Sequence, residues 1–117
     1  MEHTVLVIEP DSSRGKQVAG KLIAAGYDAL LASNADEAMR KFYQVSPDAV
    51  IVSQRLSASA FEHVCDSISA MSDLPLIELT DQAPLAPATE WLTASTQLPD
   101  MIKTLERVLE TDGGTAP

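Results

Sequence analysis

The feature that most constrains the fold of this chain is a series of short apolar runs separated by segments with helical periodicity. The first run, residues 4–8, and the third, residues 48–52, are rich in β-branched residues and have little polar alternation. Such runs are typical of strands that are buried on both faces of a sheet. Because both faces must then be covered, the sequence predicts a parallel sheet between two layers of helices.

The remaining elements follow from the same periodicities. Strands are predicted at 28–32 and 74–79, with a shorter fifth strand at 91–93. Helices are predicted from the Asp11 to Ser13 caps to about Ala25, over 35–44 and over about 60–70, with a last helix beginning near Pro99. Gly26 stands where a left-handed residue often ends a helix. Strands alternating with helices indicate right-handed crossovers in one doubly wound domain.

Length and charge exclude several classes of protein. The 117 residues suit one domain, which we place at residues 1–110, with 111–117 as a flexible tail or linker stub. A formal charge of -9 disfavours direct binding to nucleic acid or to anionic membranes. Cys65 is the lone cysteine, and no apolar run approaches the roughly 20 residues of a membrane span. We therefore expect a cytoplasmic protein.

In an open parallel sheet, ligands bind beyond the carboxyl ends of the strands. The predicted strands bring a short set of residues to that edge: Glu9, Pro10, Asp11, Ser53, Gln54, Thr80, Asp81, Ala94 and Ser95. Three acids on separate loops are more often cap and turn residues than metal ligands, so no metal site is expected. The basic residues of the first two helices, Arg14, Lys16, Lys21, Arg40 and Lys41, are expected to form solvated faces.

The order and spacing of four segments, at residues 5–9, 26–27, 46–52 and 74–80, resemble the receiver domain of bacterial response regulators. The likeness runs from about Thr4 to Glu110. It implies a flavodoxin-like, three-layer α/β fold with a five-stranded parallel sheet in the order 2-1-3-4-5. In that family an acidic pair after the first strand binds Mg²⁺ and an Asp after the third accepts phosphate. A Thr or Ser follows the fourth strand, and a Lys follows the fifth.

Carried over position by position, this resemblance indicates a degenerate phosphoacceptor pocket. Glu9 matches the first acid and Thr80 the switch hydroxyl, whereas Pro10 replaces the second acid and Ser53 the phosphoacceptor. Ala94 stands where the Lys is expected. Since Ser53 supplies neither charge nor an adjacent base, we expect no phosphotransfer, no enzymatic activity, no metal and no cofactor.

A second departure lies between Thr80 and Trp91. Pro84 and Pro87 resist a helix interior there, so the fourth helix of a receiver is expected to be shortened or absent. Leu85 and Trp91 would then border an exposed apolar patch, which suits a protein partner or a homodimer. Trp91 falls where receivers often have an aromatic switch residue, although a partly buried anchor is the simpler interpretation.

Three functional classes remain open on the sequence. The leading hypothesis is an atypical receiver domain in signal transduction that acts through protein contacts or dimerisation, independently of phosphorylation. The second is a regulatory domain that senses a small ligand at the strand ends, through Ser53, Thr80 and Ser95. An enzyme is the least supported class, because Cys65 lies on an apolar helix face and no nucleophile-base pair is evident.

Overall fold

A computed structural model of the chain describes residues 3–82 and 92–113. The strands are β1 (Thr4–Ile8), β2 (Asp28–Ala32), β3 (Ala49–Ser53), β4 (Leu76–Leu79) and β5 (Ala94–Thr96). All neighbours pair in parallel, in the order β2-β1-β3-β4-β5, which confirms the predicted flavodoxin-like sheet. The helices are α1 (Ser12–Ala24), α2 (Ala35–Val45), α3 (Ala58–Met71) and α4 (Met101–Gly113), with a 3₁₀ turn at Leu98–Asp100.

The two sheet faces carry separate apolar clusters because successive strand residues point to opposite sides. Val5 and Val7 of β1 pack with residues of α1 and α4, while Leu6 and Ile8 pack with residues of α2 and α3. All of β1 after Thr4 and all of β3 are buried, as the continuous apolar runs predicted. The carboxyl ends of the strands therefore stand between two rigid helical layers.

Capping residues and a glycine determine where the helices begin and end. The Asp11 carboxylate accepts hydrogen bonds from the backbone N–H groups of Ser13 and Arg14, which caps the start of α1. Asn34 caps α2 through the N–H of Glu37. Gly26 has a φ of 96°, a left-handed conformation that costs glycine little, so the chain reverses there from α1 into β2.

The fifth strand is displaced from its predicted position at 91–93. Ala94, Ser95 and Thr96 pair with Ile77, Glu78 and Leu79, and Thr93 lies before the strand. The prediction was wrong because it followed the apolar residues, whereas β5 is an edge strand stabilised by polar contacts. Ser95 donates a hydrogen bond to Glu78 on one face, and Thr104 of α4 donates to Thr96 on the other.

Smaller differences concern other boundaries. β3 includes Ser53, β4 begins at Leu76 after Pro75, and α4 continues to Gly113, three residues past the predicted domain boundary at 110. The predicted loss of a fourth receiver helix, and the predicted patch at Leu85 and Trp91, fall within residues 83–91, outside the described part of the chain. No helix in the described ranges is long and apolar enough to cross a membrane.

Candidate functional site: the strand-end pocket

Glu9 is the innermost charged residue at the carboxyl ends of the strands. It follows β1 directly, and its side chain has no exposed surface. One carboxylate oxygen, Oε2, accepts a hydrogen bond from the N–H of Asp11 at 3.1 Å. The other, Oε1, lies 3.4 Å from Nε of Arg14, in ionic contact without hydrogen-bond geometry. The buried charge of Glu9 is thus balanced by a guanidinium from the first turn of α1.

Asp81 forms salt bridges with both arginines of the site. Nη2 of Arg14 lies 2.7 Å from its Oδ1, and Nε of Arg55 lies 3.1 Å from its Oδ2. Nη1 of Arg55 also reaches Oδ2 of Asp11 at 2.9 Å. We call these four residues, Asp11, Arg14, Arg55 and Asp81, the arginine clasp. It ties the loop after β4 to the start of α1 and to the loop after β3.

The two arginines of the clasp differ in their surroundings. The side chain of Arg14 is 14% exposed and that of Arg55 is 39% exposed, so solvent screens the pairs of Arg55 more strongly. The hydrogen bond to Asp81 raises the pKa of the Arg55 guanidinium above its ordinary value. The Arg55 guanidinium therefore carries full positive charge. The prediction that Arg14 lies on a solvated helix face was wrong, because the start of α1 turns its side chain toward Glu9 and Asp81.

Ser53 and Thr80 make internal hydrogen bonds. Ser53 is the last residue of β3, and its Oγ accepts from the N–H of Arg55 at 3.0 Å. Thr80 Oγ1 donates to Oε1 of Gln54 at 2.8 Å and accepts from the N–H of Gln82 at 3.1 Å. Oε1 of Gln54 also accepts from the N–H of Asp81 at 3.4 Å. Gln54 therefore fixes the Thr80 hydroxyl from the loop after β3.

The structure corrects the assignment of Ala94. It is the first residue of β5 rather than the residue after it, because the strand lies three positions later than predicted. Gln97 follows β5, and its Nε2 donates to the backbone oxygen of Asp81 at 3.4 Å. The residue directly after β5 is thus an uncharged amide.

These residues do not fit a magnesium ion. Pro10 is exposed and supplies no side-chain oxygen, while the carboxylates of Glu9, Asp11 and Asp81 all face guanidinium groups. A divalent cation prefers several free hard oxygens, and it would repel the two arginines. In the described ranges, no group of three or more His, Cys, Asp or Glu side chains has the arrangement of a metal site.

Sequence reasoning brought Glu9, Ser53, Thr80 and Asp81 to one edge of the sheet, and the structure places them there. Gln54 was also predicted at this edge, but without its role of bonding Thr80. Arg14 and Arg55, which pair with the acids there, were not predicted at this edge. A usable signal was present, since Arg14 lies in the first turn of a helix whose cap, Asp11, belongs to the strand-end loop. Arginine in the first turn of a helix is unfavourable to the helix dipole unless an acid lies close by.

The sequence and structure were compared with known proteins. No family model matches the sequence. The sequence is 34% identical over 76 residues to the probable transcriptional regulator ycf27 of Guillardia theta and 29% identical to that of Pyropia yezoensis. The match covers 65% of this chain but only 30% and 31% of those proteins. The chain thus spans under a third of the length of these curated relatives.

Solved structures show a closer likeness in fold. A two-component response regulator from Clostridium difficile superposes with a TM-score of 0.81 at 17% identity, over 96% of this chain and 99% of that one. The chemotaxis response regulator CheY4 of Vibrio cholerae gives 0.78 at 21% identity, over 92% and 99%. TrrA of Thermotoga maritima, solved with Mg²⁺-BeF, gives 0.79 at 18%, over 91% and 98%. The chain therefore has the receiver-domain fold of response regulators.

Proposed function

We propose that this chain is an atypical receiver domain in signal transduction that acts by protein contact, independently of phosphorylation and without enzymatic activity. The observation that carries the proposal is the position of Arg14. Its guanidinium bonds Asp81 at 2.7 Å and faces the buried Glu9 at 3.4 Å. The fixed positive charge of Arg14 thus lies in the strand-end pocket. Phosphoryl transfer there would instead need a bound Mg²⁺ ion.

The chemistry of the pocket supports this proposal. Phosphoryl transfer needs a nucleophile and mobile positive charge near it. The hydroxyl of Ser53 is a weak nucleophile without an adjacent base, and it already accepts a hydrogen bond from Arg55 N–H. The switch hydroxyl of Thr80 is occupied by Gln54. The pocket is therefore arranged to hold one state rather than to cycle between two.

The relatives give the proposal its biological setting. The two curated relatives are named probable transcriptional regulators, and the solved neighbours are response regulators. A regulatory role in two-component signalling is the function that this likeness favours. The match covers under a third of the curated relatives. Any role of this chain in regulating transcription is therefore only proposed. An apolar contact at Leu85 and Trp91 remains a prediction.

The alternative of a small-ligand sensor has less support. Its three candidate hydroxyls, on Ser53, Thr80 and Ser95, are engaged with Arg55 N–H, Gln54 and Glu78 respectively. Ser95 moreover lies within β5 and not beyond its end. A ligand at this edge would first have to displace those internal partners.

Acetyl phosphate tests the proposal directly. The protein is incubated with acetyl phosphate and Mg²⁺, and its intact mass is compared with that of a receiver that retains the acceptor Asp. We expect full labelling of the control and no adduct on this chain. The Ser53→Asp variant is expected to stay unlabelled too, because the clasp and Pro10 remain. A phosphoryl adduct on wild-type Ser53 would overturn the proposal.

A further inference from the structure

The sulfur-containing side chains of the described residues differ in their access to solvent. Cys65 and Met101 are fully buried, and Met39 is partly buried against the apolar cluster beneath α2 and α3. Met71, the last residue of α3, is 46% exposed and lies outside both apolar clusters. Of these four side chains, Met71 is therefore the one that a reagent reaches most easily from solvent.

Cys65 would ordinarily be the more reactive sulfur, because a thiolate is a strong nucleophile. Burial raises the pKa of the Cys65 thiol to about 12, so almost no thiolate is present at neutral pH. A thioether has no proton to lose, and its reactivity toward oxidants follows its exposure. The usual order of reactivity, cysteine before methionine, is thus reversed in this fold.

The sulfur of Met71 has one specific polar neighbour. Tyr43 of α2 is 65% exposed, and its hydroxyl donates a hydrogen bond to Met71 Sδ at 3.3 Å. A thioether sulfur is a weak acceptor with two lone pairs, so this bond engages one lone pair and leaves the other free. The contact joins α2 to α3 at their exposed surface, and it gives the two sides of the sulfur different surroundings.

We propose that Met71 is a site of reversible oxidation by peroxides, attacked on the sulfur lone pair that Tyr43 leaves free. That lone pair forms an S–O bond to one oxygen of hydrogen peroxide as the O–O bond breaks. The other oxygen leaves as water with both hydrogens, so sulfur is oxidised by two electrons and the peroxide is reduced. The product, methionine sulfoxide, is polar and chiral, and reductases specific for each epimer can reverse it. An exposed apolar contact between α2 and α3 thus becomes polar while the buried core is unchanged.

Limited oxidation with hydrogen peroxide, followed by peptide mass mapping, tests the choice of site. In the folded protein, Met71 should gain one oxygen at least about tenfold faster than Met101 or Cys65, and also faster than Met39. In urea these three methionines should react at similar rates, because the difference comes from burial. Met71→Leu should leave Met39 and Met101 at their slow wild-type rates. Oxidation of Met39, Met101 or Cys65 before Met71 in the folded protein would overturn the proposal.

Tyr43→Phe tests the role of the hydroxyl, since it keeps the ring and removes only the donor. In wild type one sulfoxide epimer should dominate, so one of the two epimer-specific methionine sulfoxide reductases should reverse most of the product. Tyr43→Phe should give both epimers and oxidise at Met71 about twofold faster, because a hydrogen bond to sulfur reduces its nucleophilicity. Equal reversal by both enzymes in wild type, or the same epimer ratio in Tyr43→Phe, would contradict the proposal.

Circular dichroism separates oxidation at the surface from oxidation that follows unfolding. The spectrum of the oxidised protein should match that of the untreated protein, since Met71 lies outside both apolar clusters. Loss of helix on oxidation would count against a surface site. This inference goes beyond the contact-based function and uses no residue of the strand-end pocket. None of its outcomes depends on acetyl phosphate labelling, so the two proposals fail separately.

Discussion

The guanidinium of Arg14 lies between two carboxylates, with Nη2 at 2.7 Å from Asp81 Oδ1 and Nε at 3.4 Å from Glu9 Oε1. Glu9 follows β1, Asp81 follows β4, and Arg14 belongs to the first turn of α1. One side chain therefore links three elements across the carboxyl edge of the sheet. Removing this side chain would leave the buried Glu9 carboxylate unpaired and would release the loop after β4.

Replacing Arg14 by Met should lower the free energy of unfolding by about 3 kcal/mol, because it leaves the buried Glu9 without its counter-charge. Urea denaturation measures this. Arg55→Met is the matched control, since the ion pairs of Arg55 are screened by solvent and should contribute much less to stability. The double change Glu9→Gln with Arg14→Met should recover most of the loss, because no unpaired charge remains. Equal costs for the two arginine substitutions would contradict the importance given to Arg14.

Gln54→Ala should free the Thr80 hydroxyl and cost about 1 kcal/mol of stability, the usual net value of a hydrogen bond. Its more specific effect is on the loop after β4, since Gln54 accepts from both Thr80 and Asp81. Hydrogen exchange at the amides of Asp81 and Gln82 should become faster, while exchange in β1 stays unchanged. The same loop protection in Gln54→Ala and wild type would rule out this tether.

The hydroxyls of Thr96 and Thr104 form a buried pair at 3.0 Å between β5 and α4. Thr96→Val alone leaves the Thr104 hydroxyl without its acceptor and should cost about 1–3 kcal/mol. The double Val variant keeps the shape and removes both polar groups, so it should be closer to wild type than either single variant. Thermal unfolding of the three variants measures this. Additive losses would show that the pair does not act as one unit.

Burial, with a smaller contribution from the charge of Glu78, raises the pKa of the Cys65 thiol from 9.0 to about 12. The thiol should therefore react slowly with iodoacetamide at pH 8 in the folded protein. Because the folded-state pKa is raised, the stability it contributes is fully present below pH 9 and is lost as the pH rises toward 12. Wild type should lose more stability than Cys65→Ala across that window. Parallel losses in the two proteins would be inconsistent with the raised pKa.

The sequence was most informative where burial alone decides the structure. The apolar runs of β1 and β3, the Asp11 cap and Gly26 each have one low-energy solution, and all appear as predicted. β5 was misplaced because an edge strand with Ser95 and Thr96 has no apolar signature, and its position depends on partners in Glu78 and Thr104.

At the candidate site, the sequence shows which residue types are present but not how their charges pair. The identity of Ser53 and Pro10 can be read directly, because a missing carboxylate needs no geometry. The role of Arg14 depends instead on which way one long side chain turns at the start of α1. That direction is set by Glu9 and Asp81, which are 72 residues apart in the chain (81 minus 9). A pattern of neighbouring residues cannot reveal a contact between residues so far apart in the sequence.

We propose that the strand-end pocket is held in one state by its own charges. Two-dimensional ¹⁵N NMR spectra, recorded with and without acetyl phosphate and Mg²⁺, test it most directly. We expect the amide signals of Ser53, Thr80 and Asp81 to stay in place under both conditions, as do signals from α4. Movement of the Thr80 and Asp81 signals on addition of Mg²⁺, or of Ser53 with acetyl phosphate, would contradict it.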